Sequence, residues 1–373
     1  MILGVLSDTH DDRMNALPHI IAAFKKSDVQ AIIHCGDIDP KHLKPELYGN
    51  MPVVCALTDE QAAEHRLDFN EPQPSWIFTL PNNRIVDLGG VRIYVGHKRS
   101  FEILYGSEVA LLETLHTIRR DHDRVRYVFS GHTHHQIFMQ NPLINFINPG
   151  AVEDPTGILG GYEYAVVNTE TNEITFRRIP ATKGIKRFLN IGIISDSKDI
   201  AETDTEFWEK IAKEFDRQQV THIIHCGNIA AADIGMAEFE KFQVHYNLLL
   251  NQQDPGGPEN WHRIPYNDPV INIEGYYFLV QYNLGATMLD KSEMDLHRLS
   301  LQVQKEHPEV KFLVFGFSHN GFYEEGQQMV ILNPGDIVKD RNFAVIGLPR
   351  NEIIFNQIPV EPLLPLTESC SSR

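Results

Sequence analysis

The sequence predicts a layered α/β fold in two tandem lobes, and three observations support this prediction. The chain has 373 residues, which exceeds the roughly 100 to 200 residues of a usual domain. Its second half repeats strings of the first half in the same order. Within each half, short β-branched runs alternate with longer segments of helical period, such as residues 14–26 and 206–218. This alternation predicts strands sandwiched between helices.

The internal repeat extends over most of the chain, and its spacing drifts slightly, as loops of unequal length require. The paired strings are 2–12 with 190–200, 31–38 with 222–229, 91–97 with 276–282, 127–138 with 312–323, 145–152 with 330–337, and 164–180 with 343–359. Such ordered self-similarity indicates a tandem duplication. We therefore expect a first lobe over residues 1–182, a second over 189–360 and a weakly structured tail over 361–373.

Composition and charge argue against several classes of protein. The formal net charge of -17 repels polyanions, which disfavours general nucleic-acid binding, including a nuclease. No apolar run approaches the roughly 18 to 20 residues that span a bilayer. The first residues enter a strand-like run without the basic segment of a signal peptide, so we expect a cytoplasmic protein. The four cysteines lack CxxC spacing, which predicts neither a zinc ribbon nor a disulfide framework.

Carboxylates and imidazoles gather where predicted strands of the first half end, after Leu6, Ile33, Val95 and Phe129. In α/β folds, sites form at the carboxyl ends of strands. The candidate ligands are Asp8, His10, Asp37, Asp59, His97, His132 and His134. Mixed oxygen and nitrogen ligands suit Mn, Fe or Zn better than Ca or Mg. Because seven ligands exceed the needs of one ion, we predict two divalent ions that share a carboxylate.

Three further histidines have other interpretations. His135 follows the predicted ligands directly, and we expect it to be a bystander. His34 and His225 occupy equivalent positions in the two halves, each two residues before a glycine. Their persistence in the half that has lost its other ligands favours a structural role in the core.

The order of the motifs carries a specific resemblance. The motifs are D-x-H at residues 8–10, G-D at 36–37, G-H at 96–97 and G-H-T-H at 131–134. Their order resembles that of the calcineurin-like metallophosphoesterase superfamily. Within it, the chain is similar to small bacterial and archaeal phosphodiesterases of the YfcE type, related to the retromer subunit VPS29. The resemblance covers residues 1 to about 180 and, in degraded form, about 190 to 360. It implies an α/β fold of two tandem four-layer αββα sandwich lobes.

The resemblance also implies a binuclear metal centre, with manganese the first expectation and Fe, Zn or Ni as alternatives. One ion would be held by Asp8, His10, Asp37 and His134, and the other by Asp37, Asp59, His97 and His132. His10, Asp37 and Asp59 are the expected catalytic residues, with His10 both a ligand and a neighbour of the substrate. Two such ions would activate water for in-line attack on phosphorus.

The chain departs from the family pattern at one motif. The family usually has G-N-x-D or G-N-H there, whereas this chain reads CALTDEQ over residues 55–61. Alignment favours Asp59 in the place of the asparagine, with Thr58 and Glu60 as alternatives. The motif histidine that can protonate a leaving group is missing, so metal-assisted departure or another acid must replace it.

The second half has lost most of the predicted ligands. Its matching residues are Asp196, Lys198, Asn228, Asn251, Tyr282, Phe317 and His319. Without the counterpart of Asp37, two cations would repel each other, and Phe317 offers no lone pair. The ammonium of Lys198 could neutralise Asp196 instead. We therefore expect a metal-free second lobe with a structural or regulatory role.

These observations predict a metal-dependent phosphohydrolase, most simply a phosphodiesterase, with one working lobe. The expected substrate is a small phosphoester, with no membrane association. The alternative is a non-catalytic interaction scaffold similar to VPS29. The intact set of candidate ligands in the first half favours the enzyme over this scaffold. We also expect the two lobes to pair within the chain, and a homodimer is compatible with the sequence.

Overall fold

The computed structural model describes most of the chain. The described residues are 1–10, 16–39, 42, 44–57, 76–80, 84–97, 108–140, 142–153, 158–159, 161–179, 188–198, 205–230, 233–248, 256–284, 296–326, 328–349 and 352–358. Residues 180–187, which include the predicted end of the first lobe, and the whole predicted tail lie outside these ranges, so the proposed domain limits stay predictions.

Strands predominate in the described residues. They are β1 (Ile2–Leu6), β2 (Ala31–His34), β3 (Val53–Ala56), β4 (Trp76–Thr79), β5 (Ile85–Leu88), β6 (Val91–Val95), β7 (Val125–Phe129), β8 (Gln136–Gln140), β9 (Asn145–Pro149), β10 (Tyr162–Asn168), β11 (Glu173–Ile179), β12 (Leu189–Ile194), β13 (Val220–His225), β14 (Gln243–Tyr246), β15 (Trp261–Arg263), β16 (Val270–Ile273), β17 (Tyr276–Gln281), β18 (Phe312–Phe315), β19 (Gly321–Glu325), β20 (Val330–Pro334), β21 (Asn342–Leu348) and β22 (Glu352–Gln357). The α-helices are α1 (Leu17–Lys26), α2 (Glu108–Asp121), α3 (Thr205–Arg217) and α4 (Leu296–Glu306). Short 3-10 helices cover Pro45–Tyr48 and Ala237–Phe239.

The strands form two sheets, and both run through the two lobes without a break. One has twelve strands in the order β15-β14-β13-β12-β21-β22-β11-β10-β1-β2-β3-β4, and the other has ten in the order β16-β17-β18-β20-β19-β8-β9-β7-β6-β5. The lobes join where β11 pairs with β22 and where β8 pairs with β19, both antiparallel. The predicted pairing of the lobes within the chain is therefore present as continuous sheet.

The buried apolar residues show four layers, in which two sheets pack on each other and helices cover their outer faces. The largest buried cluster lies between the sheets and includes Val5, Ile93, Ile193 and Phe278. Separate clusters bury α1 and α3 against the outer face of the twelve-stranded sheet. A further cluster, which includes Leu299 of α4, covers the outer face of the ten-stranded sheet. The predicted layered α/β fold, with two sheets between helices, is confirmed.

A pseudo-twofold axis relates the lobes at their seam. Thr175 pairs directly with Ile354, and these two residues are equivalent in the repeat. Phe138 and Tyr323, also equivalent, pair in the other sheet. Between the sheets the Phe138 and Phe355 ring centroids lie 4.3 Å apart, and those of Phe176 and Tyr323 lie 5.1 Å apart. This aromatic cluster fixes the lobes to each other through buried apolar surface.

One side of the axis holds a buried charged cluster. Nη2 of Arg178 donates to carboxylate oxygens of Glu163 and Glu325, and to Gln136 Oε1 at 2.8 Å. Tyr323 donates to the same Gln136 oxygen at 3.1 Å. Burial and the nearby Glu325 carboxylate raise the pKa of Glu163 well above its ordinary value. One guanidinium thus links buried carboxylates from both lobes.

Predicted and observed helices agree closely where the chain is described. The predicted segment 206–218 is helix over Thr205–Arg217, and the segment 14–26 is helix from Leu17 to Lys26, with a proline in its first turn. None of the helices within the described ranges is long and apolar enough to cross a membrane.

Candidate metal centre

Left-handed backbone turns aim the candidate ligands. Asp8, His10, Asp37, His132 and His134 have φ angles of 51°, 40°, 56°, 78° and 60°. Non-glycine residues rarely adopt such angles, and they cluster at functional sites. The loops after β1, β2 and β7 carry these residues at one edge of the paired sheets. Tight turns at strand ends therefore direct the side chains to a common point.

Gly131 allows two of these loops to approach each other closely. A Cβ atom at this position would lie 1.9 Å from Oγ of Ser7 and 2.9 Å from Oδ2 of Asp8. The backbone N–H of the next residue, His132, donates to Oδ2 of Asp8 at 3.0 Å. The absence of a side chain thus permits the loop after β7 to hold the carboxylate that follows β1.

Two groups of potential metal ligands overlap at Asp8. Its carboxylate, His10 and His134 form one group, and Asp8, Asp37 and His97 form the other, with the ligand atoms of each group within 4.8 Å of one another. Oδ1 of Asp8 lies 3.4 Å from Nε2 of His134 and 3.8 Å from Nε2 of His97. Folding thus brings together side chains that are up to 126 positions apart in the sequence.

Asp37 lies between histidines of the two groups. Its Oδ2 atom is 3.3 Å from Nε2 of His10 and 3.9 Å from Nε2 of His97. The sequence assigned these histidines to different ions and Asp37 to both. The intermediate position of the carboxylate is compatible with a shared ligand.

A hydrogen bond orients the imidazole of His97, and a carboxylate faces that of His10 at a longer distance. Nδ1 of His97 lies 3.0 Å from the carbonyl oxygen of Cys35, an acceptor, so Nδ1 carries the proton and Nε2 presents its lone pair to the site. Nδ1 of His10 faces Oε2 of Glu153 at 4.0 Å, while its Nε2 faces Asp37. Metal-binding histidines in general have such a partner on the nitrogen that does not bind the ion.

The electrostatic surroundings favour the forms that bind metal. Burial alone would raise the pKa of Asp8, but the neighbouring His134, His97 and Ser7 lower it to about 2. Burial lowers the pKa of His97 below its ordinary value, although the Asp8 and Asp37 carboxylates oppose this shift. A carboxylate that stays ionised and an imidazole that stays neutral are the states that a cation requires.

Two predicted ligands stand apart from the overlapping groups. The ring of His132 packs edge to face on that of His97, with centroids 5.3 Å apart, next to the two groups. Asp59 and its alternatives Thr58 and Glu60 lie outside the described residues. His135 points elsewhere, with Nε2 3.7 Å from a carboxylate oxygen of Glu324 in the second lobe.

Sequence reasoning missed Glu153. This residue is buried, and its Oε2 atom accepts no hydrogen bond from any described group. A single glutamate after a turn carries no chemical signal, but extending the repeat by one position pairs Glu153 with Val338. This carboxylate is therefore absent from the second half, as are most of the predicted ligands.

The second lobe retains the backbone of the site with different chemistry. Asp196, Asn228, Phe317 and His319 have φ angles of 60°, 57°, 73° and 60°, close to those of their counterparts. Four donors surround the Asp196 carboxylate. They are Tyr282 Oη at 3.0 Å and Asn228 Nδ2 at 3.3 Å to Oδ1, and Ser195 Oγ at 2.9 Å and the Phe317 backbone N–H at 3.3 Å to Oδ2. Within the described residues, both groups of potential metal ligands belong to the first lobe.

The suggested role of Lys198 was wrong. Its side chain is exposed. Among the described residues, the groups that contact Asp196 are neutral donors and His319, whose Nδ1 lies 4.0 Å away. Hydrogen bonds, rather than an ammonium, compensate the buried carboxylate.

His34 and His225 have the same structural role in both lobes. Nδ1 of each accepts the backbone N–H two residues ahead, at 3.1 and 3.2 Å, and Nε2 contacts the hydroxyl of Thr9 or Ser197 at 3.1 or 2.9 Å. Burial lowers the pKa of each imidazole to about 3. The prediction of satisfied core histidines is confirmed.

Two sheets between helices, with carboxylates and imidazoles converging at one edge, define a protein of the metallophosphoesterase class. The family model described as the calcineurin-like phosphoesterase superfamily domain matches residues 1–172 and again 189–347. The chain therefore belongs to the calcineurin-like phosphoesterase superfamily, a family of hydrolases. The predicted family, its tandem duplication and the hydrolase class are confirmed.

Relatives of this chain align with about half of it. A phosphodiesterase of Methanocaldococcus jannaschii is 24% identical over 181 residues, which are 46% of this chain and 96% of the relative. A probable metallophosphoesterase of the same organism is 30% identical over 157 residues, 42% of this chain and 70% of the relative. These lengths correspond to a single lobe.

Solved structures also align over about half of the chain. A structure described as a novel archaeal phosphodiesterase is 19% identical, covers 48% of this chain and all of its own, and has a TM-score of 0.35. The phosphoesterase YfcE of E. coli is 18% identical, covers 48% of this chain and 93% of its own, and has a TM-score of 0.29.

Proposed function

We propose that the first lobe hydrolyses phosphoesters, with phosphodiesters as the substrate class, at a centre of two divalent ions. The observation that supports this most directly is the convergence of Asp8, His10, Asp37, His97 and His134 into two overlapping ligand groups. Asp59 and His132 complete the proposed set. The description of a relative as a phosphodiesterase supports the choice of substrate class.

The residues present fit divalent cations. Oδ1 of Asp8 and Oε2 of Glu153 are buried acceptors without a hydrogen bond from any described group, and a buried anionic oxygen in this state is costly unless a cation or donor compensates it. The mixture of carboxylates and imidazoles is that of Mn, Fe and Zn sites. When bound, two such ions supply an acidified water and positive charge beside the phosphoryl oxygens.

The chain itself would orient the groups around the reacting phosphorus. The Cys35 carbonyl fixes the tautomer of His97, and the Glu153 carboxylate faces the Nδ1 atom of His10. His10 is also half-buried rather than enclosed, so it can contact a bound phosphoester as well as an ion. Pre-oriented ligands reduce the reorganisation that substrate binding requires.

The proposal assigns a different role to the second lobe. Four hydrogen bonds to Asp196 take the place of an ion, and Phe317 replaces an imidazole. We assign residues 1–182 to the catalytic lobe and 189–360 to a metal-free lobe that extends both sheets. Manganese as the native ion and a cytoplasmic location remain predictions.

The decisive experiment measures hydrolysis of bis(p-nitrophenyl) phosphate by the full chain with added Mn²⁺. We expect turnover that a chelator abolishes and that Asp37→Asn reduces by at least about a hundredfold, because the substitution removes the proposed shared anion. Asn228→Ala, at the equivalent place in the second lobe, should retain turnover. A folded chain that binds Mn²⁺ but cleaves neither this diester nor p-nitrophenyl phosphate would contradict the proposal and favour an interaction scaffold.

A further inference from the structure

The seam between the lobes contains an open cavity on the side of the pseudo-twofold axis opposite the Arg178 cluster. Its volume is about 390 Å³, and residues of both lobes line it. This size is within the roughly 300 to 1,000 Å³ of small-molecule pockets. None of the proposed metal ligands within the described residues lines this cavity.

The repeat relates the lining of this cavity to the Arg178 cluster. The charged residues of that cluster have neutral amides at the equivalent positions of the other lobe. Gln357 corresponds to Arg178, Asn342 to Glu163, and Gln140 to Glu325. On the first side, ion pairs among the charged residues fill the space between the lobes. On the second side, neutral amides replace all three charges and line the cavity. Equivalent positions of the two lobes thus carry a charged cluster on one side of the axis and the amides of the cavity on the other.

The lining of the cavity is basic in an acidic protein. Arg119, Arg124 and Arg126 contribute three guanidinium groups, and Asp340 is the one carboxylate among the described lining residues. The whole chain has a net charge of -17. Arginine side chains suit the planar, bidentate recognition of phosphate and carboxylate oxygens. The local charge therefore favours an anionic ligand.

The amides that line the cavity are fixed by contacts within the chain. Nδ2 of Asn145 donates to Oδ1 of Asn172 at 2.9 Å, and Nε2 of Gln357 donates to the backbone oxygen of Asp340 at 2.8 Å. The Oδ1 atoms of Asn145 and Asn342 are buried, so a ligand in the cavity does not reach them. The lining groups that a ligand can reach therefore include the exposed side chains of Arg124 and Arg126.

From these observations we propose that the seam cavity binds a small phosphate monoester. The arginines of the lining would hold its phosphate group. Because both lobes line the cavity, the ligand would stabilise their junction by mass action on the folded state. The cavity would then give the second lobe a binding role of its own.

Calorimetric titration of ribose 5-phosphate into the full chain, without added metal, tests the proposal. Arg124→Gln/Arg126→Gln should weaken binding by at least about tenfold, and both side chains are exposed, so the core stays intact. Arg124→Lys/Arg126→Lys retains the charge and should bind within a few-fold of wild type. Arg124→Glu serves as a second charge variant if the double variant does not fold. Asp8→Asn, in the metal centre, should leave binding unchanged.

The comparison ligand is ribose, which should bind much more weakly than ribose 5-phosphate, since it lacks the phosphate group that the arginines would hold. Three results would overturn the proposal. They are no binding to the wild-type chain, equal binding by the glutamine and lysine variants, and loss of binding in Asp8→Asn with retention in the glutamine variant. The last result would place the ligand in the metal centre.

Discussion

Asp8 and Asp196 adopt the same left-handed backbone conformation in the two lobes, with φ of 51° and 60°, but their carboxylates have opposite surroundings. Oδ1 of Asp8 accepts no hydrogen bond from the described groups, and imidazoles surround it. Both oxygens of Asp196 accept hydrogen bonds from protein donors. One site therefore retains an acceptor for a cation, and the other has satisfied it internally.

The contrast predicts about two metal ions per chain rather than about four. Elemental analysis of the full chain after equilibration with Mn²⁺ and removal of excess ion would measure this number. His134→Ala should lower it, because it removes an imidazole of one ligand group. His319→Ala, the equivalent substitution in the second lobe, should leave it unchanged. About four ions per chain would contradict a metal-free second lobe.

Glu153→Gln should weaken metal binding by about 10- to 100-fold, the typical effect of removing a partner that orients a ligating histidine. The reason is the contact of Glu153 with Nδ1 of His10. Competition with a fluorescent chelator measures the affinity independently of turnover. Asp336→Asn is the matched control, since Asp336 contacts Nδ1 of His319 at 2.8 Å in the second lobe. Equal affinities of the two variants would exclude the positioning role.

The free energy of unfolding should decrease on acidification, partly because of His34 and His225. Their pKa is about 3 in the folded chain and about 6.5 when exposed. Their contribution to the free energy of unfolding is therefore complete above pH 6.5. It is lost between pH 6.5 and 3, where these two imidazoles are protonated in the unfolded chain but not in the folded one. Each accounts for a slope of about 1.4 kcal/mol per pH unit. Urea unfolding at pH 6 and pH 4, within this range, measures the slope, and His225→Gln should reduce it by about that amount. An unchanged slope in this variant would contradict the assignment.

Arg178→Gln should lower the free energy of unfolding by about 3 to 5 kcal/mol, because it leaves the buried carboxylates of Glu163 and Glu325 without a cation. Glu163→Gln should cost less, since burial already raises the pKa of this carboxyl group and favours its neutral form. Urea denaturation of both variants at pH 7 gives the comparison. A larger loss for Glu163→Gln than for Arg178→Gln would show that the guanidinium is not the central group.

Most residues of the candidate site could be predicted from the sequence, but Glu153 could not. The convergence of Asp8, His10, Asp37, His97 and His134 could be predicted because each lies in a loop that follows a strand, and parallel strands bring their carboxyl ends to one edge. The position of Glu153 could not be predicted, because it follows a turn. The backbone N–H groups of Val152 and Glu153 donate to the carbonyl oxygens of Ser7 and Asp8 after β1, and this packing brings Glu153 to His10.

The sequence by itself determined the duplication, the layered fold, the candidate ligands and the absence of most of them from the second half, since all are carried by local strings and their order. Only the tertiary structure decided which donors surround Asp196, because Tyr282 and Phe317 are distant from it in sequence. It also decided that the lobes share two continuous sheets with a charged seam on one side and a cavity on the other. Those features depend on contacts between lobes, which no pattern within either half specifies.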